Sequence, residues 1–508
     1  FTAFLLFMFS GEVFADVKLP GIIGSNMVLQ RDAEVPIWGW AEPNEGITIS
    51  FNGQRITTVT CNEGRWMVYL SPMPAGGPYN MTISGNNTIS LKNILLGEVW
   101  AASGQSNMWW TVNRSKDAEK EIPKADYPNI RLFTVPQVVA DEPLEDCEGE
   151  WVECSPEVIG EFSAVGYYFG RSLYKSMNVP VGIIHTSWGW TKAESWTSRE
   201  FLMSSYDFEP IFDRYAKAVE VYPQKKKEYD ENISEWEKEA EKLRAEGKKV
   251  PRKPGHPLGP LGPRHIWSPV KLFNGMIAPV IPYRIKGAIW YQGESNTDRA
   301  FQYRSLFPTM IRSWRYHWNQ GSFPFLLVQL ANFGETTDKP EESDLAELRE
   351  AQLMTLSVRN TAMASAIDIG ASDDIHPKNK QEVGYRLSLA ARAIAYGEDI
   401  VYSGPIYSSM RIIGDRIHIK FDHIGNGLTI NGKELKGFAI AGKDREFVWA
   451  KAEIKDDKVI VWSQEVPNPI SVRYGWGKNP VCNLYNEEGL PASPFRTDNW
   501  PGVTRDAK

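Results

Sequence analysis

Cysteine is scarce: four occur in 508 residues (Cys61, Cys147, Cys154 and Cys482), and none stand in a Cys-x-x-Cys pair. A disulfide scaffold and a zinc or dithiol motif are therefore excluded as organising principles. Cys147 and Cys154, seven apart in DCEGEWVECS, have the spacing of no zinc motif but can pair in an oxidising compartment. There is no His-Glu-x-x-His, and no Cys/His cluster, so the sequence asks for no metal and no other cofactor. Basic charge is not in excess either. Lys and Arg number 56 against 63 Asp and Glu, a net charge of −7, which gives no field for nucleic acid or an anionic membrane. Long apolar runs are missing. The one apolar stretch, FTAFLLFMFS at residues 1–10, is too short to span a bilayer. With Val13-Phe14-Ala15 behind it, it approximates a secretory signal. Residues 1–15 are read as that signal, and the protein as exported (periplasmic or extracellular), mature from about Asp16 and free of the membrane once the signal is removed.

What is abundant is tryptophan, with 19 residues, a side chain suited to β-rich cores and to sugar-binding surfaces alike. The length suggests about three domains. Residues 16–92 read as a β domain: GITISFNGQRITTV alternates around Asn52-Gly53, a hairpin signal. From 93 to 400 short apolar runs alternate with helical stretches: GEVWAAS, VPVGIIHTSWG, YRIKGAIWYQG, FPFLLVQLANF and TAMASAIDIG. That pattern predicts a parallel α/β sheet, whose ligands gather outside the carboxyl ends of the strands. A charged segment at about 205–265 interrupts it. Tyr229, Ile233, Trp236, Ala240 and Leu243 form one helical stripe there, predicting a solvated helical insertion or, alternatively, a lid. Residues 401–508 alternate again and predict a C-terminal β-sandwich.

The chemistry concentrates in AASGQSNMWW, residues 101–110, which carries Ser103 and Ser106 just past an apolar run. Met108 replaces the second glycine of a Gly-x-Ser-x-Gly elbow, but Gly104 still permits a tight turn. Ser106 then either opens a helix with its hydroxyl in the cleft or serves as a plain N-cap. A nucleophilic serine needs a base. Among seven histidines, His376 in ASDDIHPKNKQEVGYRL lies on a loop between a strand-like run and an amphipathic helix. Asp373 and Asp374, three and two residues before it, can hold the imidazole in one tautomer.

These stretches carry a resemblance. GEVWAASGQSNM, PVGIIHTSWGWTKAESW, NGMIAPVIPYRIKGAIWYQGESN and DDIHPKNKQEVGYRL, in that order, resemble the SGNH (GDSL-like) hydrolases and, more closely, the sialate O-acetylesterase family of carbohydrate esterases. The resemblance implies an SGNH-type parallel sheet flanked by helices and a serine esterase acting on an O-acetylated carbohydrate. It implies Ser106 as nucleophile, His376 as base and Asp373 as orienting acid, with Asp374 and Glu294 as alternatives. The oxyanion hole would take the backbone N–H groups of Ser106 and Gly189 and a side-chain amide. The usual asparagine position is Ser295 here, so Gln292 or Asn296 is expected instead. The usual Ser-Trp-Gly-Gly-Thr reads SWGWT, which places Trp190 in the pocket wall. Trp109, Trp190 and Glu194 are the expected substrate contacts. The implied substrate is 9-O-acetylated sialic acid. Acetylated xylan or another plant glycan is the alternative, and a glycan-binding protein on a non-catalytic esterase scaffold is a further one.

Overall fold

Seven strands make up the first part of the chain: β1 (Val28–Gln30), β2 (Val35–Trp40), β3 (Gly46–Phe51), β4 (Gln54–Val59), β5 (Arg65–Leu70), β6 (Gly76–Ser84) and β7 (Thr88–Gly104). The computed structural model describes residues 16–255 and 259–507, so the expected signal at 1–15 lies outside the described residues. Asn52-Gly53 turns β3 into β4 as its sequence requires, with both residues in the left-handed region.

β7 carries two patterns in one strand. Thr88–Asn93 alternates in exposure and pairs antiparallel with β6, whereas Leu95–Gly104 is buried throughout and enters a parallel sheet. The boundary expected at residue 92 therefore falls inside a strand. It is corrected accordingly: the change of pattern marks a change of neighbours, since the N-terminal strands share one continuous core with the α/β sheet.

That sheet is completed by β8 (Tyr127–Thr134), β9 (Val152–Cys154), β10 (Val181–Ser187), β11 (Gly287–Tyr291), β12 (Phe325–Gln329) and β13 (Thr361–Ser365), in the order β13-β12-β11-β7-β10-β8-β9. Within that order only β9 runs antiparallel to its neighbour. Gly104 of β7 stands opposite Ser187 of β10 and Tyr291 of β11, so three strands end level, and their following loops share one edge. Helices flank the sheet. One, Ala164–Met177, is capped by Ser163, which accepts from Gly166 N (3.1 Å), and stops at left-handed Asn178. Another, Lys380–Tyr396, packs against it, starting from the Asn379 cap and ending at Gly397.

The charged segment forms one helix, Glu209–Ala245. Its apolar stripe is covered by the chain's own return: Trp236 Nε1 donates to Pro251 O (2.9 Å), and Tyr229 lies against Gly255 and Gly259. Farther along, Trp267 Nε1 donates to Trp190 O (2.5 Å), tying this return to the rim of the sheet edge.

The C-terminal part has its own core, in which Ile417, Ile419, Val459 and Val461 meet Phe438, Ile440, Val472 and Tyr474. One antiparallel sheet joins Ile406–Ile413, Arg416–Asp422, Lys458–Trp462 and Lys451–Lys455. A second joins Phe447–Trp449, Phe438–Ala441, Ser471–Tyr474 and Phe495–Arg496. A fully buried guanidinium fastens this part to the sheet. Arg349 donates to Leu330 O and Ala331 O after β12, and to Gly477 O and Lys478 O of the C-terminal part. The pairing that the spacing of Cys147 and Cys154 left open is not made; all four cysteines are free thiols. Cys154 is turned into the core and donates to Ala125 O (3.4 Å), and burial pushes the thiols of both residues up to about 12.

Candidate active site

The loops that leave the level ends of β7, β10 and β11 meet the loop after β13 around Ser106. Gly104 has to be glycine: its φ is +142°, and a Cβ would stand 2.1 Å from Tyr291 O. The turn then places Gln105, not Ser106, at the N-cap of a short helix, Ser106–Trp109, so Ser106 is the first helical residue rather than a cap. Its hydroxyl lies 2.9 Å from His376 Nε2. Ser103, the other serine of the motif, is fully buried and donates to Thr186 O (2.5 Å).

On the far side of the ring, His376 Nδ1 lies 2.9 Å from Asp374 Oδ1, which also accepts from the His376 backbone N–H (2.9 Å). This fixes the tautomer in which Nδ1 donates to the carboxylate and Nε2 faces Ser106. Asp373, the acid expected from the Asp-x-x-His pattern, is exposed instead, because the irregular loop turns its neighbour toward the ring. Burial raises the Asp374 pKa, but the backbone N–H and ring of His376 outweigh it and hold the carboxyl below its usual range. Burial also lowers His376; Asp374 restores part of this, while Lys380 and Arg114 push it down again. The imidazole thus stays neutral and basic at neutral pH. Trp110 stacks on it with centroids 4.9 Å apart, and Arg114 lies 3.7 Å from the Trp110 ring centroid.

Glu294 does not partner the histidine. The residue is half-buried with its carboxylate enclosed, and Asn107 Nδ2 donates to its Oε1 (2.5 Å) and to Ile375 O (3.2 Å). Lys380 Nζ donates to Asn107 Oδ1 (2.5 Å), so one amide bridges a buried acid and a buried base. Burial raises Glu294 and lowers Lys380 to about 7, each partly countered by the other's charge. This bridge ties the turn at Ser106, the loop after β11 and the loop of His376 into one unit.

Around the expected oxyanion hole, Gly189 lies against the nucleophile: a Cβ there would stand 3.6 Å from Ser106 Cβ. Neither expected amide is available. Gln292 is fully buried, with Nε2 donating to Thr191 O (3.1 Å) and Asn296 Oδ1 (2.6 Å). Asn296 donates to Glu194 (2.8 Å) and accepts from Ala193 N (3.0 Å). Glu194 is buried as well and pairs with Arg299 (2.8 Å), so it supports the Gly189 loop from below rather than meeting a ligand. The turn itself also carries Gln105, buried beside Ser106. Its Oε1 accepts from Gly293 N and Ser295 N (3.3 Å each), which ties the turn to the loop after β11, the loop that holds the position where the resemblance places an asparagine. Trp109 and Trp190 remain at the surface, 44% and 42% exposed. Trp190 takes a left-handed φ of +66°, a conformation in which a non-glycine residue costs about 1–2 kcal/mol, explaining why glycine is usual there.

Sequence reasoning overlooked Gln105, Asn107, Arg114 and Lys380. Their nearness in sequence to Ser106 and His376 was the only signal, and it does not tell which of them face the site. Among the described residues no group of three or more His, Cys, Asp or Glu could hold a metal ion.

Residues 265–395 match the carbohydrate esterase, sialic acid-specific acetylesterase family. The human sialate O-acetylesterase is 30% identical over 96% of this chain and 94% of its own. The mouse protein is also 30% identical, over 94% of both. The crystal structure of a carbohydrate acetylesterase from Xanthomonas citri superposes with a TM-score of 0.81 at 38% identity, covering 96% of this chain and all of the other. Relatives that align over nearly their whole length, together with a serine–histidine–aspartate line at the strand ends, make this chain a member of the sialate O-acetylesterase family and a carboxylic ester hydrolase.

Proposed function

We propose that the chain removes the acetyl group from a 9-O-acetylated sialic acid by two-step serine catalysis, with Ser106 as nucleophile, and that it does so after export. The observation that carries the catalytic reading is the unbroken line from Asp374 through His376 to Ser106. His376 takes the Ser106 proton as Oγ attacks the acetyl carbonyl. The backbone N–H groups of Ser106 and Gly189 and the Gln105 amide receive the oxyanion, each such donor contributing about 3–4 kcal/mol to the barrier reduction. His376 then returns the proton to the departing sugar oxygen. A water, deprotonated by the same ring, releases acetate from Ser106.

The sialic acid reading is supported by charge at the rim. Arg114 is exposed and held flat on Trp110 next to His376, suited to a sugar carboxylate. Trp109 and Trp190 offer faces for the ring itself, and these would serve a neutral xylan equally well. Acetate release from 9-O-acetylated sialic acid and from acetylated xylan, by wild type, Ser106→Ala and Arg114→Ala, tests the proposal. Expected are loss of release in Ser106→Ala and a raised KM in Arg114→Ala on the acidic sugar alone. A folded Ser106→Ala that matches wild type overturns the nucleophile, and a faster rate on xylan overturns the substrate. Export is tested by cell fractionation and by sequencing the mature N-terminus, expected near Asp16.

A further inference from the structure

A cavity of about 590 Å³ lies between the loop after β12 and the C-terminal sandwich, within the ~300–1,000 Å³ typical of small-ligand sites. Its apolar wall includes Trp449, Trp462 and Trp476 beside Leu435, Phe438 and Val481. Trp449 is 40% exposed, and its Nε1 donates to Asp338 O (2.8 Å), so the ring is open yet fixed in place. The same ring borders a second hollow of about 150 Å³ and stands as a ridge between the two. Trp462 is half-buried, with the Arg416 guanidinium 4.4 Å from its ring centroid, and Trp476 is buried behind. Four glutamates and three lysines line the cavity and nearly cancel.

A preformed indole platform inside a polar rim of almost no net charge selects a ligand with one apolar face and many neutral hydroxyls. That is the chemistry of a pyranose chain. A polyanion gains nothing from such a rim, and a purely apolar ligand would leave its carboxylates and ammonium groups unpaired. The walls are also rigid relative to one another, because Arg349 holds Gly477 and Lys478 of one wall to Leu330 and Ala331 at the root of the other. The cavity adjoins the catalytic loop. Phe333 N donates to Lys478 O (3.1 Å), and Gly334 N donates to Ser372 O (3.2 Å), two residues before Asp374.

We propose that this cavity is a second carbohydrate site, which binds a neutral oligosaccharide segment and anchors a larger glycan beside the esterase centre. The assignment goes beyond the deacetylation proposed above and is read out independently of it, by binding. The experiment is calorimetric titration of the full chain carrying Ser106→Ala with xylohexaose and with a neutral N-acetyllactosamine tetrasaccharide. Binding of one of them is expected, weakened about tenfold or more by adding Trp449→Ala or Trp462→Ala, and largely kept with Trp449→Phe. In the otherwise wild-type chain, Trp449→Ala should leave hydrolysis of p-nitrophenyl acetate unchanged, which also reports that it folds. The proposal is overturned if neither oligosaccharide binds, or if binding persists undiminished in both tryptophan-to-alanine variants. Failure of the esterase reading would appear separately, as absent acetate release by the wild type.

Discussion

Replacing Asp374 by asparagine keeps the shape of the side chain and removes its charge. In the wild type, Asp374 Oδ1 accepts both the ring Nδ1–H and the backbone N–H of His376, each at 2.9 Å. Asparagine still accepts one of these, but the imidazolium that forms as Ser106 gives up its proton loses its counter-charge. A hydrogen bond to a charged group contributes about 1.5–3 kcal/mol, and a fully buried aspartate in such a triad is associated with a ~10⁴-fold loss in kcat when made neutral. The Asp374 side chain is 40% exposed, so water screens part of that interaction. The expected fall in kcat is therefore smaller, about 10²–10³-fold, or roughly 3–4 kcal/mol in the barrier, with KM nearly unchanged. Initial rates on p-nitrophenyl acetate measure it, with Asp373→Asn as the control, expected within about twofold of wild type. The pH profile adds a second readout: Asp374 is what holds His376 up against burial, so the acid limb moves to lower pH in Asp374→Asn. Equal losses at the two aspartates, or an Asp374→Asn variant with more than half the wild-type rate, would refute the assignment.

In the wild type, catalysis needs neutral His376, whose pKa lies below the ordinary ~6.5, so kcat/KM should be flat above that value and fall as pH drops through the lowered pKa. A midpoint above 6.5 contradicts this. Lys380→Met removes a positive charge that depresses His376, so the acid limb should shift upward; a downward shift would mean that Lys380 acts otherwise. Gln105→Ala should lower kcat by about 10²–10³-fold with a small effect on KM, as for loss of one oxyanion donor, and an unchanged kcat would rule Gln105 out as that donor. Ser103→Ala should cost about 0.5–1.5 kcal/mol in denaturant unfolding, since it removes one buried hydrogen bond, while keeping most of the activity, the reverse of Ser106→Ala.

The parts legible in the sequence were those with a period or a local signature. Continuous apolar runs announced β10, β11 and β12, and the stripe from Tyr229 to Leu243 announced the inserted helix. Ser106 and His376 could be named because each sits where a run ends, and they meet although 270 residues separate them. What escaped depends on which neighbour satisfies which polar atom. Asp373 and Asp374 are chemically alike, and only the path of a loop without periodicity turns one toward the ring. Gln292, Asn296 and Glu194 have the right residue types for a ligand contact, but Thr191, Ala193 and Arg299 consume their hydrogen bonds from beneath. The boundary at residue 92 was misread because a strand that changes from one open face to none looks like two strands in sequence.

That strand bears on how the protein can be taken apart. β7 begins as a partner of β6 and ends at the turn that holds Ser106, with no linker between. The N-terminal strands are therefore not a module that can be cut away, shuffled onto another enzyme or replaced by a tag without exposing the flank of the strand that carries the nucleophile. The C-terminal sandwich has its own core, so its outer loops are where fusion or exchange can leave the reacting groups in register, while the strands and loops that seat Arg349 must stay.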